Sequence, residues 1–349
     1  MAPKIFLTGV TGFVGGAAFA EIHDKHPDYD YTLFVRSEER GKAVAGKYPH
    51  VKFVYGDLAS TDVIEKAAAE ADVVVHTAES ADSVSAAEAI AKGLAAGHTA
   101  EKPGYWIHLS GSGILTWYDF EKERFGEPPL PEQKYNDIGD IDRLLTLPDS
   151  ASHRNVDKIV QGASSDAVKI IIVSPPTIYG EGGGPVNQRS IQVPNLILAS
   201  LKFGHAPVVG AGKTEWDNVH IDDLADMFNR FVEATQDSSK RDNPEIFGRH
   251  AYYFARGGEH LWADVAAWVA DEASRQGYLP DAATKSVPLE EVNKTGLLGA
   301  ASWGANSKGE ADRAKKYLGW KPRGIPLKET IADTVAIEAK KFGLTAKSK

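Results

Sequence analysis

Apolar and polar positions along the first half of this 349-residue chain follow two alternating periods. Apolar runs of five to seven residues, rich in Val, Ile, Leu and aromatics, occur at Lys4–Thr8, Tyr31–Arg36, Val51–Tyr55, Asp72–His76, Tyr105–Ser110 and Val168–Ser174. Continuous runs of that length are the pattern of strands buried on both faces. Helical spacing fills the gaps, at Gly16–Ile22, Val63–Glu70 and Ser83–Ala96, with Ser60, Thr61 or Asp62 as the N-cap of the second. Such repetition predicts right-handed crossovers and an α/β fold with a doubly wound, Rossmann-like parallel sheet.

Past Ser174 the texture changes. Pro175-Pro176, Gly182-Gly183-Gly184-Pro185 and Pro194 punctuate the chain, and helical patterns return at Ile221–Ala234, Trp262–Arg275 and Pro326–Lys340. The expected organisation is a nucleotide-type domain over 1–178, with returns at 216–255, and a smaller loop-rich substrate region over 179–215 and 256–349. The segments Val219–Glu233 and Ala251–Phe254 are expected to rejoin the sheet. Thr235–Asn243 reads as an exposed loop, and Lys340–Lys349 as a fraying end.

Composition narrows the partners. The chain has 48 acidic against 39 basic residues, a formal charge of -9, which argues against nucleic acid and anionic membrane. There are no cysteines, which excludes disulfides, thiolate metal ligands and thiol nucleophiles. No stretch reaches the roughly 18 apolar residues of a membrane span, and the N-terminus enters a strand without a signal-peptide pattern. A cytoplasmic location is the expectation.

The first strand ends in Gly9-Val10-Thr11-Gly12-Phe13-Val14-Gly15 and opens an alanine-rich helix. The first glycine permits the tight turn, the second admits a pyrophosphate to the backbone, and the third lets helix and strand pack closely. The pyrophosphate then meets the open N–H groups and positive dipole end of the helix. The ligand this predicts is a nicotinamide dinucleotide. Arg36 ends the second strand, where an NAD-type site carries an acid for the ribose diol; a guanidinium suits a 2′-phosphate instead. This favours NADP(H), with Arg40 and Lys42 adding to the field. NAD(H), with Arg36 stacked on adenine, is the alternative. Asp57, followed by Leu58, either accepts from the adenine amino group or caps the next helix, and the small pair Thr77-Ala78 lets the middle of the cofactor lie against backbone.

Together these residues resemble the extended short-chain dehydrogenase/reductase family, the NAD(P)-dependent epimerases, dehydratases and related reductases. Thr8-Gly9-Val10-Thr11-Gly12-Phe13-Val14-Gly15 is similar to its TGxxGxxG, Leu109-Ser110-Gly111-Ser112 to its fifth strand end, and Pro176-Thr177-Ile178-Tyr179-Gly180 to the turn after its sixth strand. Val219-His220-Ile221-Asp222-Asp223-Leu224-Ala225 and Leu318-Gly319-Trp320-Lys321-Pro322 continue the likeness in order. The resemblance implies cofactor contacts at Pro175 and Pro176, a small-molecule substrate and, as is common in the family, a homodimer. It also implies a hydroxyl, a Tyr and a Lys, the last two spaced YxxxK on one helix, where the ammonium lowers the phenol pKa and holds the nicotinamide ribose.

Ser112 matches the hydroxyl and Lys158 the lysine, but the run His153-Arg154-Asn155-Val156-Asp157-Lys158 then puts Arg154 where tyrosine is expected. Guanidinium does not release its proton in proteins, so Arg154 is left with electrostatic roles: polarising a carbonyl or binding an anion. The acid then comes from His153, Tyr179 or Tyr118, or is not needed, or the chain binds its cofactor without turnover. His153 lies five residues from Lys158, about 140° around a helix, and so faces poorly. Tyr179 stands on the loop beside the expected nicotinamide.

Gly180–Gly184 lacks the GxxxxGK[ST] frame and reads as a mobile flap; Asn187, Gln188 and Arg189 follow it as polar substrate contacts or surface. Arg256 and His260 read the same way, and Trp262, Trp268 and Trp303 as core or interface aromatics. The 11 histidines show no HxxxH or HExxH spacing, so no metal is expected, and Gly111-Ser112-Gly113 lacks the GxSxG frame of a hydrolase. Two functions remain in view: an NADP(H)-dependent oxidoreductase or epimerase-like enzyme with an atypical site, and a non-catalytic NADP(H)-binding redox sensor.

Overall fold

In a computed structural model, which describes residues 2–345, the strands are β1 (Lys4–Thr8), β2 (Asp30–Val35), β3 (Lys52–Tyr55), β4 (Val73–His76), β5 (Gly104–Leu109), β6 (Lys134–Asn136), β7 (Val168–Ser174), β8 (Thr177–Tyr179), β9 (Ala206–Val209), β10 (Glu215–His220), β11 (Tyr252–Phe254), β12 (Gly258–Leu261), β13 (Thr284–Val287) and β14 (Lys308–Glu310). Seven form one wholly parallel sheet in the order β11-β7-β5-β4-β1-β2-β3. The order reverses between β1 and β4, so the connections leaving their paired carboxyl ends run in opposite directions and open a crevice where ligands bind in such sheets. Helices Thr61–Glu70 and Val84–Gly97 pack closely; a methyl group at Gly93 or Gly97 would collide with the backbone of the first helix.

The apolar interior falls into two large clusters and a small third one of Phe13, Ala17, Ile221 and Ala225. The largest holds β1–β5, β7 and β11 with their helices. The second gathers Tyr179, Val193, Leu196, Trp216, Trp262, Val265, Trp303 and Ile331 from the later chain. The boundary differs in two ways from the sequence expectation. Of the two segments expected to rejoin the sheet, Tyr252–Phe254 does so as its edge strand, while Ile221–Gln236 is a helix packed on the helix Phe13–Lys25. Ala311, Ala314, Leu318 and Trp320, from the expected substrate region, pack into the larger core. The loop expected from Thr235 begins after Gln236, and the last helix runs Leu327–Lys341. Of the fraying end expected over Lys340–Lys349, residues 346–349 lie outside the described chain.

Three smaller sheets (β12-β10-β8, β13-β9 and β14-β6) organise the later chain.

Candidate active site

At the switch point the chain makes a cradle that a single methyl group would fill. Gly9 has φ +89, a left-handed conformation that favours glycine. A Cβ at Gly9 or Gly15 would overlap Thr77 Oγ1, and one at Gly12 would stand 3.1 Å from the Gly9 oxygen. The Gly12 N–H turns back onto that oxygen at 2.8 Å, and no side chain caps the helix that starts at Phe13. Its first-turn N–H groups, from Phe13, Val14 and Gly15, are therefore left facing outward for an anion.

Thr8 ties the carboxyl ends of β1 and β4 together. Its hydroxyl accepts the Thr77 and Ala78 N–H groups at 3.1 and 3.2 Å and lies 2.7 Å from His76 Nδ1. Burial holds His76 neutral, pushed down to about 3, so Nδ1 takes the Thr8 proton. The small pair Thr77-Ala78 is thus pinned at the crevice wall.

A groove of about 520 Å³ runs from this turn to the end of β2, lined by Gly9, Thr11, Gly12, Arg36, Arg40, Asp57, Leu58, Thr77 and Ala78. Lys42 is not on its wall. Arg36 Nη2 pairs with Glu79 at 3.2 Å, with both side chains more than half exposed, so the pair is easily exchanged for another anion. Asp57 Oδ1 accepts from the Ala59 N–H at 2.9 Å and Ser60 Oγ at 3.2 Å, stabilising the turn into the helix Thr61–Glu70; its carboxylate also borders the groove. The glycine cradle, open N–H groups and two guanidinium groups fit a dinucleotide.

Beyond the flap the later chain closes over. A methyl group at Gly184 would stand 2.8 Å from the Gly16 Cα, and one at Gly182 about 3.0 Å from the Phe13 ring. The Asn187 N–H donates to Thr11 O at 3.3 Å. Val186 and Asn187 line both the groove and a second cavity of about 730 Å³ between the flap and the last helix. Arg189 and Gln188 are less free than expected. Arg189 grips Glu338 through two bonds of 2.9 and 3.0 Å, and Gln188 donates to Gly184 O.

The other end of the crevice corrects several expectations. Arg154 is buried, and its guanidinium donates to Leu147 O at 3.0 Å, Leu145 O at 2.6 Å and Gln161 Oε1 at 3.0 Å. From this buried position it clamps the preceding loop with each of its three nitrogens. Lys158 points at Asp149, 2.9 Å away on the surface, rather than toward a nicotinamide ribose. Tyr179 donates to Ile325 O at 2.7 Å, and burial pushes its phenol up to about 12, so it ties the last helix down. Tyr118 packs edge-on against Trp117. Arg256 joins an ion-pair network with Asp217, Glu259 and Glu310, and His260 is buried beside Asn218 and pushed down to about 3. Neither is open surface.

Ser112 stands where the fifth strand ends. Its N–H donates to Pro175 O at 3.0 Å, and the neighbouring Pro176 is buried as well. Ser307 reaches across from the later chain, 2.7 Å from Ser112 O and 2.8 Å from its Oγ. The residue brought against this segment is His153. Its Nε2 lies 3.4 Å from where a methyl group would stand on either Gly111 or Gly113, so the ring packs at contact distance from that backbone. His153 is the N-cap of the helix Arg154–Ala163, with φ +67, and Nδ1 lies 2.8 Å from Asp82 Oδ1. One turn on, Asp157 is fully buried, with Tyr252 Oη at 3.3 Å, and burial pushes its carboxyl up to about 6.

His153 and Asp157 have the same spacing of four as Arg154 and Lys158; the first pair places a ring against Gly111–Gly113 and a buried carboxyl one turn on, the second a buried guanidinium and a surface ammonium. His153, read from the sequence as one candidate acid, is the N-cap of this helix; the residue that sequence reasoning missed is its partner Asp82, which no local motif marks.

Comparisons with known proteins agree on the architecture. An NAD(P)H-binding family matches residues 9–186, and the NAD dependent epimerase/dehydratase family matches 148–246. A protein called oxidase ucsJ, from an Acremonium species, is 35% identical over 99% of this chain and 100% of its own. An uncharacterised Saccharomyces cerevisiae protein is 24% identical over 94% of this chain and 97% of that one. Among solved structures, a Bacillus anthracis dTDP-glucose 4,6-dehydratase in complex with NAD superposes with a TM-score of 0.64 at 15% identity, covering 97% of both chains. With the glycine cradle, the parallel sheet and a close full-length relative in agreement, the chain belongs to the NAD(P)H-binding, epimerase/dehydratase-like group of extended short-chain dehydrogenases/reductases.

Proposed function

We propose that this chain is an NADP(H)-dependent oxidoreductase, or an epimerase-like enzyme, acting on a carbonyl or hydroxyl carbon of a small molecule. The observation that carries the reading is the groove joining the Gly9–Gly15 cradle to Arg36 and Arg40, with no acid at the end of β2 to meet a ribose diol. The nicotinamide, when bound, supplies or takes the hydride. The chain's own groups do the rest: first-turn N–H groups hold the pyrophosphate, Arg36 and Arg40 meet the 2′-phosphate, and Thr77-Ala78 supports the middle of the cofactor. Ser112 then orients the substrate oxygen from the end of β5. The second core and flap form the substrate side, and a cytoplasmic homodimer is part of the same reading. A full-length relative named as an oxidase supports redox chemistry.

The test pairs binding with turnover. NADPH is expected to bind at least tenfold more tightly than NADH, and Arg36→Ser to erase that preference. NADPH oxidation with a panel of aldehydes and ketones is expected to proceed and to fall sharply in Ser112→Ala. A large difference between NADPH and NADP+ affinities with no turnover on any compound would instead favour a redox-sensing protein.

A further inference from the structure

The reaction proposed above needs a group that gives a proton to the substrate oxygen or takes one from it, and none of Arg154, Lys158 and Tyr179 is free to do so. We infer that His153, oriented by Asp82, is that group; the inference rests on the oxidoreductase reading and names its acid and base.

Position comes first. The groove carries its arginines at the β2 end and passes the Gly9–Gly15 cradle, so the reactive end of a bound dinucleotide lies beyond Thr77-Ala78, toward β5. Glu79 lines the groove and opens the turn Glu79–Ser83, and the segment Gly111–Gly113 follows β5. Ser80 Oγ donates to Leu109 O at 2.5 Å and ties that turn to the end of β5. His153 touches both, Asp82 through Nδ1 and the Gly111–Gly113 backbone through the Nε2 edge.

Geometry then divides the ring's two nitrogens. The Asp82 carboxylate accepts from Nδ1–H and leaves Nε2 facing the segment that carries Ser112. The bond to His153 also holds the Asp82 carboxyl below the usual range, so it stays charged. The other charged and titratable groups around the ring are His108 on β5, which burial keeps neutral, and Arg154 and Asp157 on its own helix. The backbone agrees. The described residues contain three non-glycine positions with φ well above zero; one, Glu79, lines the groove, and another, His153, bonds to Asp82 in the turn that Glu79 opens. Left-handed backbone at non-glycine residues persists where the surroundings hold it, and it gathers at working sites.

The step balances without further reagents. In reduction, the carbonyl carbon takes the hydride of the reduced nicotinamide, and the carbonyl π pair moves onto oxygen. That oxygen takes the proton from Nε2–H of the His153 imidazolium, leaving a neutral ring with Nδ1–H on Asp82. The His153 side chain is 22% exposed and regains its proton from water. Oxidation runs the same path backwards.

Two measurements test this on the full chain. Nitrogen-15 NMR of the histidine rings, without cofactor, should show His153 protonated at Nδ1 and changed in Asp82→Asn; an unchanged ring overturns the orienting role. NADPH turnover of 4-nitrobenzaldehyde and a set of aliphatic aldehydes and ketones is the second. His153→Gly, which suits the left-handed backbone, should lower kcat at least 100-fold with the Kd for NADPH within twofold, and added imidazole should restore at least tenfold. Asp82→Asn should lower kcat about tenfold or more at unchanged KM, as a misdirected tautomer does. His153→Asn, also tolerant of that backbone, carries the same expectation as the glycine variant without rescue. A glycine variant that keeps more than a tenth of kcat, or that imidazole does not restore, overturns His153 alone. A wild-type protein that binds NADPH but reduces none of the carbonyls overturns the oxidoreductase reading and this inference with it.

Discussion

At the Gly9–Gly15 end of the crevice the open groups are backbone N–H groups from one continuous turn, positioned by missing side chains and by Thr8. At the Ser112 end the contacts are between side chains assembled from far apart: Asp82 reaches His153 across 71 positions and Ser307 reaches Ser112 across 195. The first kind of site is encoded by local spacing and tolerates no added atom. The second is encoded by tertiary contact, and its members are replaceable singly, with effects that depend on what each one touches.

The largest effect expected from breaking the first kind is at Gly15. Gly15→Ala puts a methyl group into Thr77 Oγ1 and the Gly9 oxygen, and the Kd for NADPH should rise at least 100-fold, about 3 kcal/mol, in a fluorescence titration. At the other end, Arg154→Leu strands the Leu145 and Leu147 carbonyls and the Gln161 side chain. It should cost about 3 kcal/mol of stability, seen as a lowered Tm, while residual folded protein keeps its affinity for NADPH. A variant with unchanged Tm and lost turnover would return Arg154 to the chemistry.

Asp157 gives a pH-dependent version of the same contrast. Its folded value is raised from the ordinary 3.8 to about 6, so as pH rises the unfolded chain ionises first and the buried carboxyl becomes a growing penalty. Asp157→Asn should therefore stabilise the protein by up to about 3 kcal/mol above pH 6, and that gain should vanish as pH falls toward 4. Denaturant melts at several pH values check it; a gain independent of pH would mean that packing, not ionisation, sets the cost. The smallest effect belongs to Lys158→Ala. Its partner Asp149 is 80% exposed, so stability should change by less than about 0.5 kcal/mol and NADPH affinity within twofold.

The same division explains what could be read beforehand. β1 and β7 begin and end where the apolar runs do, the helix Trp262–Arg275 matches its pattern, and the other main strands shift by about one residue at their ends. The glycine turn was legible because three spacings and a strand–helix junction are all local. The helix that follows Ser150 was not legible in the same way, since Arg154 with Lys158 and His153 with Asp157 fit one spacing equally well. Only tertiary contacts separate them: Arg154 clamps the loop before it, Lys158 lies on the surface, and His153 meets Asp82. Ser307 and Asp82 carry no motif at all; their roles come from where β10, β14 and the Glu79–Ser83 turn bring them.

The contact between Gly16 and Gly184 bears on how long a ligand stays. Two residues without side chains meet over a small area, so lifting the flap from the first helix forfeits few dispersion contacts and no buried ion pair. Dissociation of a bound dinucleotide is then governed by its own contacts with the cradle and the arginines, not by a slow opening of the protein. A single added methyl group at Gly184 would prop the flap off its seat and, on this reading, leave residence time unchanged, because no group that touches the ligand is altered.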